Sequence, residues 1–138
     1  MAVLIDTSVF IALERRATLA ASVEMQSRLP DERIAISAIT ASELLAGVHL
    51  SKPTERLARR EAYVERVLAG VPVIPFDLAA ARVHARLFVE LKRTGSPIGA
   101  NDLQIAATGV THDYAVLTAN AREFLRVPGL QIRTFVLP

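Results

Sequence analysis

The chain has 138 residues, of which 51% are apolar and 22% charged, which suits a single domain spanning 1–138 with one hydrophobic core and excludes extended disorder. It contains no cysteine, which excludes disulfides, thiolate zinc sites and cysteine nucleophiles, and no apolar run approaches the roughly 20 residues that cross a bilayer. The net charge of +2 excludes little by itself, yet all but two of the 16 basic residues are arginine, Lys52 and Lys92 being the exceptions. Arginine's planar fork suits bidentate phosphate contacts, although an Ala- and Arg-rich composition also follows from a GC-rich genome.

The N-terminus reads Met-Ala-Val-Leu-Ile-Asp, without the basic start and long apolar run of a signal peptide, so a soluble protein that stays in the cytoplasm is expected. Ala2–Ile5 is a short strand, followed at once by a helix through about Ala17 and a further helical segment to about Leu29, which Pro30-Asp31-Glu32 breaks. Ile34–Ser37 reads as a second strand and Thr40–Leu50 as a helix. Pro53 opens a long amphipathic helix with Leu57, Val64, Val67 and Leu68 on one stripe. Val71–Pro75 is a third strand bounded by prolines. Leu78–Arg93 is the clearest helix, with Ala80, Val83, Leu87 and Leu91 on its apolar stripe and Arg82, Arg86, Glu90 and Arg93 opposite. A loop at Gly95–Gly99 precedes a helix over Ala100–Thr111. Tyr114–Thr118 is a fourth strand, a short helix follows near Ala121–Leu125, and Leu130–Val136 offers a fifth strand. Strands separated by crossover helices imply an α/β fold, a mainly parallel sheet covered on both faces, with ligand sites beyond the carboxyl ends of the strands.

The acids fall at those ends. Asp6 stands where the first strand gives way to a helix, Glu43 in the first turn after the second strand, and Asp102 in the first turn of the helix that follows Gly99. Thr118-Ala119-Asn120 ends the fourth strand, with Glu123 one turn later. Each has a purely structural reading: Asp6 as an N-cap, Thr40 and Glu43 as a capping box, Asp102 as a charge favoured by a helix dipole. Their arrival together at one sheet edge favours a shared pocket, in which carboxylates repel one another unless a cation lies among them. Oxygen ligands without His or Cys favour Mg²⁺ or Mn²⁺ over zinc, and such a metal can activate a water for attack on a phosphodiester.

At these residues the chain resembles a PIN domain, and more narrowly the VapC toxins of bacterial toxin–antitoxin pairs. The resemblance rests on Leu4-Ile5-Asp6-Thr7-Ser8, on Ser42-Glu43-Leu44 with Gly47, and on Pro97-Ile98-Gly99 through Asn101-Asp102 with Ile105-Ala106-Ala107. It continues through Leu117-Thr118-Ala119-Asn120, Glu123-Phe124 and Val127-Pro128-Gly129-Leu130, so it spans essentially the whole length. It implies a three-layer sandwich around a five-stranded sheet and Mg²⁺- or Mn²⁺-dependent cleavage of structured RNA, commonly tRNA. It also implies a VapB-like antitoxin that covers the acidic site, and a homodimer. Carried over by position, Asp6, Glu43 and Asp102 are the metal ligands, and Thr7, Ser8 and Thr118 line the site. Many PIN domains have a fourth acid where this chain has Asn120, a role Glu123 can take over; the alternative is a degenerate pocket that binds RNA or protein without cleaving.

Other acidic α/β pockets fail on residues in view. An Asp-x-Asp phosphatase needs an acid where this chain has Ser8, and a receiver domain needs a late lysine, whereas none follows Lys92. His49, His84 and His112 show no ligand spacing, Asp77 reads as an N-cap, and Asp113 lies in a turn. Arg86 and Glu90 have the spacing of a solvated ion pair, and Phe10, Leu13, Phe88 and Val89 that of core or subunit interface.

Overall fold

The computed structural model describes residues 2–15, 29 and 31–136, so the helical segment expected from Ala17 to Leu29 falls outside the described residues apart from Leu29 itself. Five strands, β1 (Ala2–Ile5), β2 (Arg33–Ser37), β3 (Val73–Ile74), β4 (Ala115–Thr118) and β5 (Ile132–Thr134), form one sheet in the order β3-β2-β1-β4-β5. Every pairing is parallel. β1 and β4 lie side by side at the centre, where the order of the strands reverses, and that is where an open α/β sheet forms its ligand crevice.

Alternation along each central strand serves two cores. Val3 and Ile5 of β1, Ile36 of β2 and Leu117 of β4 face one core, while Leu4, Ala35 and Val116 face the other. The first core is closed by α1 (Thr7–Arg15), α2 (Ala38–Leu50) and α3 (Glu55–Gly70), through Phe10, Leu13, Val64 and Val67. The second is closed by α4 (Leu78–Arg93) and α5 (Ala100–His112), through Leu87, Leu91, Leu103 and Ile105. Burial on both faces explains why the strands read as continuous apolar runs. The result is the three-layer sandwich with a five-stranded sheet that was expected, with the sheet parallel throughout.

Several bounds differ from the expected ones for local reasons. β3 shrinks to two residues because it is an edge strand between Pro72 and Pro75, which cannot donate to a ladder. Helix α2 starts at Ala38 because the Ser37 hydroxyl caps it, accepting from the Thr40 amide at 3.2 Å. The helix expected near Ala121–Leu125 is a single 3₁₀ turn at Phe124–Arg126. Asp77 caps α4 as expected, and Asp113 ends α5 in the left-handed conformation, at φ 57°. Small residues let α5 approach the sheet: a Cβ on Gly109 would lie 3.1 Å from the Tyr114 carbonyl oxygen.

Candidate active site

Asp6 follows β1 directly and is 6% exposed, so its charge needs partners. Its amide continues the β1–β4 ladder by donating to the Leu117 carbonyl at 2.9 Å. Its Oδ2 accepts two hydroxyls, from Ser8 at 2.6 Å and from Thr118 at 2.8 Å. Neither bond is a backbone cap, so the N-cap reading does not describe this side chain. The Ser8 hydroxyl in turn accepts from the Ala119 amide at 3.0 Å, and Thr118 Oγ1 accepts from the Asn120 amide at 2.9 Å. The turn after β4 is thereby tied to the start of α1.

Glu43 lies in the second turn of α2, since that helix begins earlier than the sequence suggests. It does not complete a capping box with Thr40; Ser37 is the cap, and Glu43 Oε1 instead accepts the Thr7 hydroxyl at 2.8 Å. Asp102, the third residue of α5, is half-buried and hydrogen-bonded to Glu123, whose Oε2 also accepts from the Gly99 amide at 3.2 Å. Asn120 is exposed, and it joins the site through its backbone amide.

The electrostatics show that these acids sense one another. Burial, then the hydrogen bond that Asp102 donates to Glu123, then the charges of Asp6, Glu123 and Glu43 push the Asp102 carboxyl up to about 7. Glu123 is held below its ordinary value, first by the bond to Asp102 and next by the Gly99 amide. Asp102 therefore keeps the proton and donates it to the Glu123 carboxylate. Among the described residues no three His, Cys, Asp or Glu side chains are clustered tightly enough to form a finished metal-binding group. The chemistry nonetheless fits a hard divalent cation. The donors are all oxygens, no basic side chain hydrogen-bonds to Asp6, Glu43 or Asp102 among the described residues, and Asp6 Oδ1 accepts no hydrogen bond there.

The residues set aside behave as ordinary structure. Phe10 and Leu13 are core, Phe88 and Val89 are exposed, and Arg86 pairs with Glu90 at 3.9 Å on a solvated face. His84 stacks on Phe88 and meets Phe76 edge-on, and His112 meets Tyr114. What the sequence reading passed over is a row of arginines on α3, Arg56, Arg59, Arg60 and Arg66, which lines a cleft of about 780 Å³ reaching Thr7 and Glu43. Their spacing of three, four and seven residues on one helix was the available signal.

A doubly wound parallel sheet with carboxylates gathered at its carboxyl edge defines a PIN-type nuclease fold. The family model described as PIN domain matches residues 3–130, and the chain belongs to that family. It is 31% identical over 137 residues to Ribonuclease VapC of Rickettsia bellii (strain RML369-C), covering 99% of this chain and 98% of that one. It is 36% identical over 104 residues to the tRNA(fMet)-specific endonuclease VapC of Salmonella typhimurium, covering 75% and 76% of the two chains. Among solved structures, VapBC2 of Rickettsia felis bound to a DNA fragment from its promoter matches with a TM-score of 0.86 at 26% identity, over 99% of this chain and 100% of that one. Within the family the chain falls among the VapC ribonuclease toxins of VapBC pairs.

Proposed function

We propose that this ribonuclease is a divalent-metal-dependent endonuclease that cleaves structured RNA, tRNA in particular, and that a VapB-like antitoxin restrains it by covering the acidic pocket. The observation that supports this most directly is the electrostatic coupling of Asp102 to Asp6, Glu43 and Glu123 at the central sheet edge. Asp6, Glu43 and Asp102 would hold Mg²⁺ or Mn²⁺. Bound there, such a cation supplies Lewis-acid stabilisation of the developing phosphodiester charge and acidifies a water.

The chain's own residues orient that chemistry. Ser8 and Thr118 fix Oδ2 of Asp6 and leave Oδ1 for a ligand, while Thr7 sets the rotamer of Glu43. Asp102 must release its proton to become a ligand, after which Glu123, anchored by the Gly99 amide, is an acceptor at the pocket edge. Glu123 thus supplies the negative charge that Asn120 lacks. The tRNA specificity named for the Salmonella typhimurium relative supports tRNA as substrate, and the Rickettsia felis VapBC2 complex supports the antitoxin.

We also read the protein as a cytoplasmic homodimer. Among the described residues no helix is long and apolar enough to cross a membrane, and Phe76, Leu78, Phe88 and Val89 expose apolar surface on and before α4.

The test is incubation of total tRNA with purified protein in Mg²⁺, in Mn²⁺ and in EDTA, with Asp6→Asn protein prepared in parallel. Discrete fragments from the wild type only, and only with metal, are expected, with the variant's fold retained. Full activity of Asp6→Asn, or undiminished cleavage in EDTA, would overturn the site. Folded protein that takes up no Mg²⁺ or Mn²⁺ in a direct titration would favour the alternative, a pocket that binds without cleaving.

A further inference from the structure

The α3 arginines form a cleft that runs into the catalytic pocket, with Thr7 and Glu43 lining both. They divide into two kinds. Arg60 is already committed: its Nε donates to Glu14 at 2.8 Å and its Nη1 to Ser51 at 3.2 Å, so it braces α3 against α1. Arg56, Arg59 and Arg66 are exposed and have no acidic partner among the described residues. The helix segregates its charge, since Glu61 and Glu65 do not line the cleft. Three unpaired guanidinium groups facing one concave surface repel one another unless an anion lies between them.

The geometry points to Arg56, Arg59 and Arg66 as binding residues for backbone phosphates of the RNA strand that flanks the scissile phosphate. This rests on the nuclease reading and deepens it. Ten residues of helix separate Arg56 from Arg66, about 15 Å, enough to follow a few successive phosphates of one strand. Planar forks suit phosphate oxygens and carry no base readout, so the cleft holds and registers the strand while the carboxylates act on it.

The experiment uses Asp6→Asn protein, which leaves the RNA intact, and labelled total tRNA, with affinity measured between about 50 and 200 mM salt. The triple variant Arg56→Gln, Arg59→Gln, Arg66→Gln is expected to bind about ten- to a hundredfold more weakly. The slope of log affinity against log salt should shrink by about 2, near 0.7 for each phosphate of a single strand that is no longer neutralised. The corresponding Lys variants should recover the slope, which a merely misfolded protein would not do, and the single Gln variants should each show about a third of the slope change. Arg82→Gln with Arg86→Gln, on α4, should change neither quantity. In protein with Asp6 intact, the triple Gln variant should raise KM while kcat stays within about twofold. Unchanged affinity and slope in the triple Gln variant would overturn the assignment while leaving the nuclease standing. Unchanged RNA binding together with failure to bind the antitoxin would assign the cleft to a protein ligand and equally overturn it. Folded Asp6→Asn protein that binds no RNA at all would remove both this inference and the function on which it rests.

Discussion

Asp102 and Glu123 share one proton because Asp102 is half-buried and hydrogen-bonded to Glu123, with the charges of further carboxylates nearby, and that sharing has a measurable pH signature. The folded value for Asp102, about 7, lies above its ordinary 3.8. Between those two values the folded protein keeps a proton that the unfolded chain has released. The stability contributed by Asp102 is therefore present below about pH 4 and is lost as pH rises through 7. Glu123 has the opposite sign: its lowered value contributes stability above its ordinary 4.5 that is lost as pH falls below it. A divalent cation held by Asp102 as proposed would compete with the Asp102 proton. The gain in Tm on adding Mg²⁺ or Mn²⁺ should accordingly be larger at pH 8 than at pH 5, and Asp102→Asn should remove most of that difference. Equal gains at the two pH values would argue against Asp102 as a ligand.

Among the helices, α4 is the one that sequence and structure describe in identical bounds. Its apolar stripe and its N-cap are both local, so nothing distant is needed to place it. Asp77 Oδ1 accepts from the Ala80 amide at 3.0 Å, satisfying one of the amides that a helix start leaves without a partner. Asp77→Ala should lower stability by about 1 kcal/mol in urea titration, with RNA cleavage unchanged. Helix α2 is the contrasting case. Its spacing of Thr40 and Glu43 satisfies the capping-box pattern, yet Ser37 takes the cap and frees Glu43 for Thr7. Ser37 ends a buried strand whose position is set by pairing with β1 and β3, and a residue-spacing rule carries no information about that pairing.

For the molecule as a whole, topology does the assembling. With β1 and β4 adjacent, Asp6 and Thr118, 112 positions apart in sequence, come within 2.8 Å. The same wrapping leaves an exposed aromatic cluster on the far layer, where His84 lies between Phe76 and Phe88 with ring centroids 5.6 and 6.5 Å away. If this surface joins the two subunits of a dimer, sedimentation equilibrium should report a dimer for the wild type, and Phe88→Glu should shift it toward monomer without lowering Tm. A dimer that survives Phe88→Glu would place the interface elsewhere.

The sequence by itself determined the alternation of strands and helices, the two-sided burial of the sheet, and Asp6 at the end of its first strand, because each is written in short-range periodicity or in a position next to a strand. The absence of Cys and of His at ligand spacing likewise restricted the site to oxygen donors. Tertiary structure alone decided which hydroxyl serves which carboxylate, that Glu123 and not Asn120 bonds to Asp102, and that the α3 arginines share a cleft with Glu43. Apart from the pairing of Ser8 with Asp6, those relations join residues distant in sequence, and they exist only after strand order and helix docking have fixed distances that no local spacing encodes.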